Sequence, residues 1–263
     1  MMHKTSLVDL KRSLEKMDFP KEAVVMIHSS LLRFGIIEKG VKGFYECIED
    51  VLGPDATIIM PAFSFEYTKK QQWRAADSES RMGALTEYFR KNEAIGRTIH
   101  PFHSVSFKGK YASKLLLCNC SSSFGPGSPF ELLCEMEAFN LSLGADYIGG
   151  TTYMHYTEEL AQVPYRFYKS FPGEVLDQKG QLVDKPFRMY VRIITDNYEY
   201  ENDWSKVFSE LIQDGYFDHQ KLGLAQIIKS DIKKSHHAFY KKILANPYYA
   251  ARVIHKTLTK KET

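Results

Sequence analysis

The chain lacks a long apolar segment, and no run approaches the roughly 20 consecutive apolar residues that a membrane-spanning helix needs. Near the N-terminus, charged residues separate Leu7, Leu10, Leu14 and Met17. That helical spacing predicts an amphipathic helix and not a secretion signal. We therefore expect a cytoplasmic protein without a membrane partner.

Cysteine is also scarce, with only 4 in 263 residues. The Cys118-x-Cys120 pair is neither a CxxC redox motif nor a zinc knuckle, and four cysteines do not form a disulfide scaffold in a chain this long. Reduced thiols in a cytoplasm are the expectation.

An excess of charge of one sign is missing as well. The formal net charge is +3, from 35 Lys and Arg against 32 Asp and Glu, which does not predict a nucleic-acid partner. The Lys-rich end, KTLTKKET, predicts a solvated terminus.

Three nucleotide and nucleophile motifs are absent. The sequence has no G-x-G-x-x-G and no P-loop pattern, so neither a dinucleotide nor a triphosphate is expected. It has no G-x-S-x-G elbow, and Ser29, Ser30 and Ser128 are lone serines. Cys134 lies in the apolar run FELLCEM and is predicted to belong to the core.

What the sequence does contain is an alternation of apolar β-type runs and helical patterns. The predicted strands are 24–30, 57–63, 103–109, 140–146 and 188–195, and the predicted helices include 40–53 and 82–91. Nearly continuous apolar strands are typical of a sheet covered on both faces. We predict one α/β domain over residues 1–263, with a mixed β-sheet between layers of helices and a mostly helical region after about residue 200.

Polar residues collect at four predicted strand ends, where functional loops often lie. The four places are His28-Ser29-Ser30, the segment RTIHPFHS with His100, His103 and Ser104, the turn SSSFGPGSPFE (121–131), and TTYMHYTEE (151–159).

The last of these segments has the clearest chemistry. Thr151 or Thr152 would cap a helix in which His155 and Glu158, three residues apart, share a face. The helix N-terminus disfavours the imidazolium and the carboxylates favour it, so we expect a pKa near 6.5, which suits a general base. The pattern also fits a helix end with solvated Glu158 and Glu159, or a zinc site completed by other histidines.

Six segments together resemble the aminoglycoside 3-N-acetyltransferase family of coenzyme A-dependent N-acyltransferases. They cover about residues 20–195, and the pair His-Pro-x-His-Ser and Thr-x-x-His-x-x-Glu is the most specific part. The segments are VVMIHSSLLRFG (24–35), GPDATIIMPAFSF (53–65), RMGALTEYFRK (81–91), GRTIHPFHSVSFKG (96–109), FGPGSPFELL (124–133) and TYMHYTE (152–158).

The resemblance implies acyl transfer from acyl-coenzyme A to an amine by direct attack, without a metal. It implies His155 as the general base, with Glu158 as the first choice to orient it and Glu87 or Asp146 as alternatives. It also implies a coenzyme A cleft and an acceptor contact from Glu87. The implied cleft residues are Ser29, Ser30, Leu31, His103, Ser104 and Val105.

The acceptor prediction depends on the charge of residues 65–81. This segment carries Lys69, Lys70, Arg74 and Arg81 against three carboxylates, and a cationic border would attract an anion. We therefore predict a nucleotide-linked amino sugar from surface-polysaccharide or secondary-metabolite assembly.

Three alternatives stay open. One is an aminoglycoside 3-N-acetyltransferase that confers antibiotic resistance, another is a non-catalytic ligand-binding protein, and the third is a metal-dependent hydrolase that uses His100, His103 and His155. The sequence leaves open the acyl group, the sugar, the position of its amine and whether the chain forms an oligomer.

Overall fold

The structure is a computed structural model, and it describes residues 4–256. The Lys-rich run predicted as a solvated terminus therefore lies, apart from Lys256, outside the described residues. The helices are α1 (Leu7–Glu15), α2 (Gly40–Leu52), α3 (Tyr67–Lys70), α4 (Ala84–Asn92), α5 (Ala112–Leu116), α6 (Pro129–Glu135), α7 (Met154–Leu160), α8 (Ser205–Gln213) and α9 (Ile232–Ala245). A short 3₁₀ turn covers Leu31–Phe34.

The strands of the described region are β1 (Lys4–Thr5), β2 (Val24–Ser29), β3 (Ile36–Ile37), β4 (Thr57–Pro61), β5 (Gln72–Arg74), β6 (Gly96–Arg97), β7 (Val105–Gly109), β8 (Phe139–Leu143), β9 (Arg166–Phe171), β10 (Glu174–Leu176), β11 (Phe187–Arg192), β12 (Tyr198–Asn202), β13 (Phe217–Leu222), β14 (Ala225–Asp231) and β15 (Ala251–His255). Each of the predicted runs contains or overlaps one of these strands.

Seven strands form the main sheet, in the order β13-β14-β8-β2-β4-β7-β6. The central strand β2 pairs in parallel with β4 and β8, whereas β7 is antiparallel to β4 and β14 is antiparallel to β8. The predicted mixed sheet is thereby confirmed.

Alternating side chains of β2 point into two separate cores. Val24 and Met26 pack in the core that includes side chains of α6, α7, α8 and α9. Val25 and Ile27 pack in the core that includes side chains of α1, α2 and α4. Helices therefore cover both faces of the sheet, which explains why this strand is apolar along its length.

The prediction of a mostly helical region after residue 200 is wrong. This part contains α8 and α9, but also β12, β15 and the two sheet strands β13 and β14. The run QIIKSDIKKSHHAFYKKIL contains both a strand and a helix, divided at Asp231. The Asp231 carboxylate accepts the N–H of Lys234 at 2.9 Å and caps α9. An N-cap of this kind starts a helix and therefore ends the strand before it.

The predicted strand 188–195 exists as β11, but not in the main sheet. It pairs with β9 as an antiparallel hairpin, from Phe187 opposite Phe171 to Arg192 opposite Arg166. No helix between residues 4 and 256 combines the length and apolar character needed to cross a membrane. All four cysteines are free thiols.

Candidate active site

The site lies at the edge of the main sheet where β2, β4 and β8 end. The Ser30 N–H donates to the Leu143 carbonyl at 2.8 Å, which ties the end of β2 to the end of β8. The loop after β8 leads to α7, and the Asn140 side chain holds it by donating to the Gly150 carbonyl at 2.8 Å. Carboxyl ends of parallel strands commonly border ligand sites in such sheets.

His155 occupies the first turn of α7, as predicted, and contacts Glu158. The distance from His155 Nδ1 to Glu158 Oε2 is 2.5 Å, and about a quarter of the His155 side chain is exposed while Glu158 is fully buried. A carboxylate at Nδ1 favours the tautomer with the proton on that nitrogen, so Nε2 keeps its lone pair. The side chain is therefore arranged to accept a proton at Nε2.

Two residues that were not predicted from the sequence also contact Glu158. The Tyr165 hydroxyl donates to Glu158 Oε1 at 2.7 Å, and the Arg166 guanidinium lies 3.1 Å from Glu158 Oε2. Burial alone would raise the pKa of Glu158, but Arg166 and His155 outweigh it and hold the pKa below its ordinary value. Glu158 therefore stays ionised at neutral pH.

Helix α7 starts later than predicted. Tyr153 occupies the position before its first residue, and no side chain caps it. Thr151 instead donates its hydroxyl to the Tyr147 carbonyl at 2.5 Å, so neither predicted threonine is the cap. The Thr151 hydroxyl therefore forms its hydrogen bond within the turn that precedes the helix.

The expected balance of effects on the His155 pKa is also wrong. The imidazole packs against Trp204 and Phe124, with ring centroids 4.7 and 5.2 Å away. Burial lowers the pKa of His155 below 6.5, and Glu158 opposes only part of that shift. The aromatic neighbours come from distant segments, so their effect could not be read from the helix alone.

The predicted segments around His103 and the Gly/Pro turn meet beside His155. His103 Nδ1 lies 2.8 Å from the Ser123 hydroxyl. The Phe124 ring contacts both His103, at 4.7 Å between centroids, and His155. Burial, together with the neighbouring His100 and His155, lowers the pKa of His103 well below its ordinary value, so His103 is neutral.

Ser104 and Val105, predicted to bind coenzyme A, are fully buried. The Ser104 hydroxyl donates to the Ala62 carbonyl and accepts from Arg97 Nε, both at 3.0 Å. Neither residue offers surface to a ligand in this conformation.

Ser29, Ser30 and Leu31, by contrast, line an open groove with a cavity volume of about 950 Å³. The Ser29 hydroxyl is buried and has no hydrogen-bond partner among residues 4–256. Arg33 and Leu224 also border this groove and the neighbouring cavity. Sequence reasoning missed Leu224 because it lies in the turn between β13 and β14, far along the chain.

Glu87, predicted to contact the acceptor, is bound to other parts of the protein. Its carboxylate accepts from Arg90 at 2.7 and 2.8 Å and from the Ser80 N–H at 3.0 Å, and Lys91 lies 3.1 Å away. Burial would raise the pKa of Glu87, but these partners outweigh it and lower the pKa to about 2. Glu158, and not Glu87 or Asp146, is the carboxylate that contacts His155.

Three of the four cationic side chains of the 65–81 segment pair with carboxylates of the same segment. Lys70 and Arg81 both pair with Glu66, and Arg74 pairs with Asp77 at 3.2 Å. These ion pairs weaken the cationic border on which the nucleotide-sugar prediction depended.

His100, His103 and His155 do not form a metal-binding group within residues 4–256. His100 Nδ1 accepts the N–H groups of Phe102 and His103 at 3.3 and 3.2 Å. Within the described part of the chain, no three His, Cys, Asp or Glu side chains come together as metal ligands. The residues thus give the hydrolase alternative no support.

Comparison with known proteins identifies the family. The family model described as aminoglycoside 3-N-acetyltransferase matches residues 26–242, which is most of the chain. The chain belongs to the aminoglycoside 3-N-acetyltransferase family. The family predicted from the six segments is thereby confirmed.

Among curated members of the aminoglycoside 3-N-acetyltransferase family, the chain is similar to the SPbeta prophage-derived aminoglycoside N(3')-acetyltransferase-like protein YokD of Bacillus subtilis (strain 168). The two are 26% identical over 180 residues, which cover 60% of this chain and 65% of YokD. The aligned part thus spans slightly less than two thirds of that relative.

Two solved structures of family members have the same fold. A histidine-to-alanine mutant of aminoglycoside acetyltransferase AAC(3)-IVa, in complex with a gentamicin, aligns with a TM-score of 0.78 at 20% identity, covering 95% of this chain and 92% of that one. AAC-IIIb, as a binary complex with CoASH, aligns with a TM-score of 0.75 at 18% identity, covering 92% and 97%. The predicted α/β fold is confirmed by both.

Proposed function

We propose that this protein transfers an acetyl or similar acyl group from acyl-coenzyme A to an amino group of an aminoglycoside-like amino sugar, with His155 as the general base. The observation that carries the proposal is the buried Glu158 bonded to His155 Nδ1, which leaves Nε2 free on a partly exposed imidazole. The free thiols suit the cytoplasm as its compartment.

The reaction needs no nucleophile from the protein. The neutral amine nitrogen attacks the thioester carbonyl carbon, and His155 Nε2 takes the proton that the nitrogen loses. The tetrahedral intermediate then breaks its C–S bond, and the proton passes to the departing thiolate to give free coenzyme A and the amide. Glu158 stabilises the imidazolium that forms in between, and Arg166 keeps Glu158 ionised.

The groove at the end of β2 is the proposed donor site. It is lined by Ser29, Ser30 and Leu31, of which Ser30 would offer its hydroxyl, and it adds the guanidinium of Arg33. A hydroxyl group can hydrogen-bond the amides of the pantetheine arm, and an exposed arginine can pair with the phosphates of coenzyme A. The CoASH complex of AAC-IIIb supports this donor by family analogy.

The aminoglycoside-like acceptor replaces our first choice, the nucleotide-linked amino sugar. Two findings support the change: the cations of residues 65–81 are mostly paired, and a structural neighbour binds a gentamicin. Pairing with carboxylates weakens the repulsion that a polycationic acceptor would meet at that segment.

Replacement of His155 tests the catalytic assignment. His155→Ala should lower turnover by roughly 10²–10⁴-fold while acyl-coenzyme A affinity stays nearly unchanged, because only proton transfer is removed. The measurement is release of the coenzyme A thiol, with several acyl-coenzyme A donors and a panel of aminoglycosides and amino sugars.

The matched control is His219→Ala, which removes an exposed histidine of β13. This variant should behave like the wild type. Near-normal turnover of His155→Ala would remove His155 from the mechanism, and a wild type that transfers no acyl group to any amine would overturn the proposed function.

A further inference from the structure

Glu159 is a second buried carboxylate on α7, next to the one that contacts His155. Only 1% of Glu159 is exposed. Successive residues of an α-helix point about 100° apart, so Glu159 cannot share the surroundings of Glu158. The mechanism proposed above does not use Glu159, and its burial needs another explanation.

The Glu159 carboxyl lies under the Phe124 turn, which we define as residues 122–125. Oxygen Oε1 is 2.5 Å from the position that a Cβ atom on Gly125 would occupy. Neither Glu159 oxygen, nor the Ser122 hydroxyl, has a well-formed hydrogen bond within residues 4–256. Burial raises the pKa of Glu159, and the nearby Ser122 and Tyr168 hydroxyls offset only part of that rise.

The other side of the Phe124 turn faces the two histidines. Ser123 contacts His103 Nδ1 at 2.8 Å, and the Phe124 ring packs on both His103 and His155. A displacement of this turn would therefore change the packing of the imidazole that accepts the proton.

The turn is fixed at its far end by α6. Ser128 caps that helix, and the Gly127 N–H donates to Glu131 at 2.7 Å. Residues 122–125 are held by fewer contacts, namely the Gly125 carbonyl that accepts the Ser128 N–H at 3.1 Å, the bridge of Ser122 to Arg188 and the Ser123 contact with His103, and Glu159 packs beneath them.

We propose that Glu159 is a positioning residue, whose buried carboxyl group supports the Phe124 turn and so holds Phe124 against His155. The proposal rests on the proposed function for the importance of His155, but it makes a claim about the free protein that can be tested without turnover. The absence of a side chain at Gly125 is what leaves room for this contact.

Removal of the Glu159 side chain should slow the chemical step of acyl transfer. Glu159→Ala is expected to lower kcat about ten- to a hundredfold with an almost unchanged KM for the donor, since misplacement of a reacting group by about 1 Å can cost a factor near 10². Glu159→Gln, which keeps the shape, should stay within about threefold of the wild type by the same reasoning. Equal losses in both variants would overturn the proposal, because charge and not support would then matter.

The His155 pKa gives a readout that does not depend on activity. In a proton NMR titration of the free protein, Glu159→Ala should raise the pKa of His155 towards 6.5, since a displaced Phe124 lets water reach the ring. Glu158, Arg166, Arg192 and His103 all act on this imidazole and are unchanged by the substitution. An unchanged pKa in the Ala variant would overturn the proposal even if the wild type acylates no tested amine.

Gly125→Ala perturbs the same contact from the side of the Phe124 turn. Its Cβ would meet Glu159 Oε1, so this variant should lose activity by itself and recover part of it when combined with Glu159→Ala. Strict additivity of the two losses would contradict a direct contact. If Glu159→Ala folds poorly, Gly125→Ala alone still tests the contact, because it leaves Glu159 in place.

Discussion

At the scale of single residues, the state of His155 results from two opposing surroundings. Glu158 at Nδ1 favours the imidazolium, whereas Trp204 and Phe124 exclude water and disfavour it. Burial has the larger effect, so the pKa lies below 6.5 and the ring is neutral at physiological pH. A base that is already deprotonated needs no prior proton loss before the amine attacks.

The pH dependence of kcat/KM tests this balance. Because the lowered pKa belongs to a base that must be neutral, activity should persist above that pKa and fall only as the pH drops through it, at a value below 6.5. Trp204→Ala should move this acid limb to higher pH, since water then solvates the ring, and His219→Ala should not. A His155 pKa of 6.5 or higher in a proton NMR titration of the free wild type would contradict the burial of His155, and this measurement does not depend on the protonation of the amine.

The contact between His155 and Glu158 could be predicted because three residues along a helix place both side chains on one face. Arg166 and Tyr165 follow soon after in the sequence. No short sequence pattern, however, indicates that the turn at Pro164 brings them into contact with Glu158. Phe124, Trp204 and the support from Glu159 depend on packing between distant segments, which a single sequence does not encode in any short pattern.

At the scale of secondary-structure elements, the boundary between β14 and α9 depends on one side chain. Asp231 ends the strand and caps the helix, in a run whose apolar residues fit both periodicities. The strand is chosen because Ile227 and Ile228 pack into the two cores on opposite faces of the sheet. Burial on both faces is a tertiary property, so helical spacing alone led to the wrong prediction for this segment.

Removal of the Asp231 cap should destabilise the protein without changing its fold. Asp231→Ala is expected to lower the free energy of unfolding by about 1 kcal/mol, whereas Asp231→Asn, which keeps an acceptor oxygen, should cost much less. Urea unfolding followed by circular dichroism measures both. Equal stability of the Ala variant and the wild type would show that the hydrogen bond to Lys234 contributes nothing.

At the scale of the whole molecule, the formal charge of a segment is a poor guide to the charge that a ligand meets there. The net charge of +3 and the four cations of residues 65–81 suggested an anionic substrate. In the folded protein Lys70, Arg74 and Arg81 have carboxylate partners. Charges can be counted in a sequence, but only the fold determines which of them neutralise one another.

The acceptor preference follows from this pairing. Neutral replacements of Lys69, Lys70 and Arg74 leave Glu66 and Asp77 less compensated, so they should lower the KM for a polycationic aminoglycoside. The gain should shrink at high salt, because exposed charges are screened over about 8 Å at physiological ionic strength. The KM is measured at low and high salt for an aminoglycoside and a nucleotide-linked amino sugar.

If the nucleotide-linked sugar is the better substrate of the wild type, and the triple variant raises its KM, the acceptor proposal is wrong. The donor and His155 assignments would survive that result, because they depend on the groove and on α7.

The central position of β2 has a consequence for how the chain folds. Its neighbour β4 follows after one helix, but its other neighbour, β8, pairs Phe139 with Val25 across a long intervening chain. During synthesis β2 and β4 can therefore associate early, while one side of β2 stays without a partner until β8 has been made. Pairings between such distant segments slow folding and leave strand edges open to wrong partners. The apolar centre of this sheet is thus the part of the newborn chain that most needs protection from aggregation.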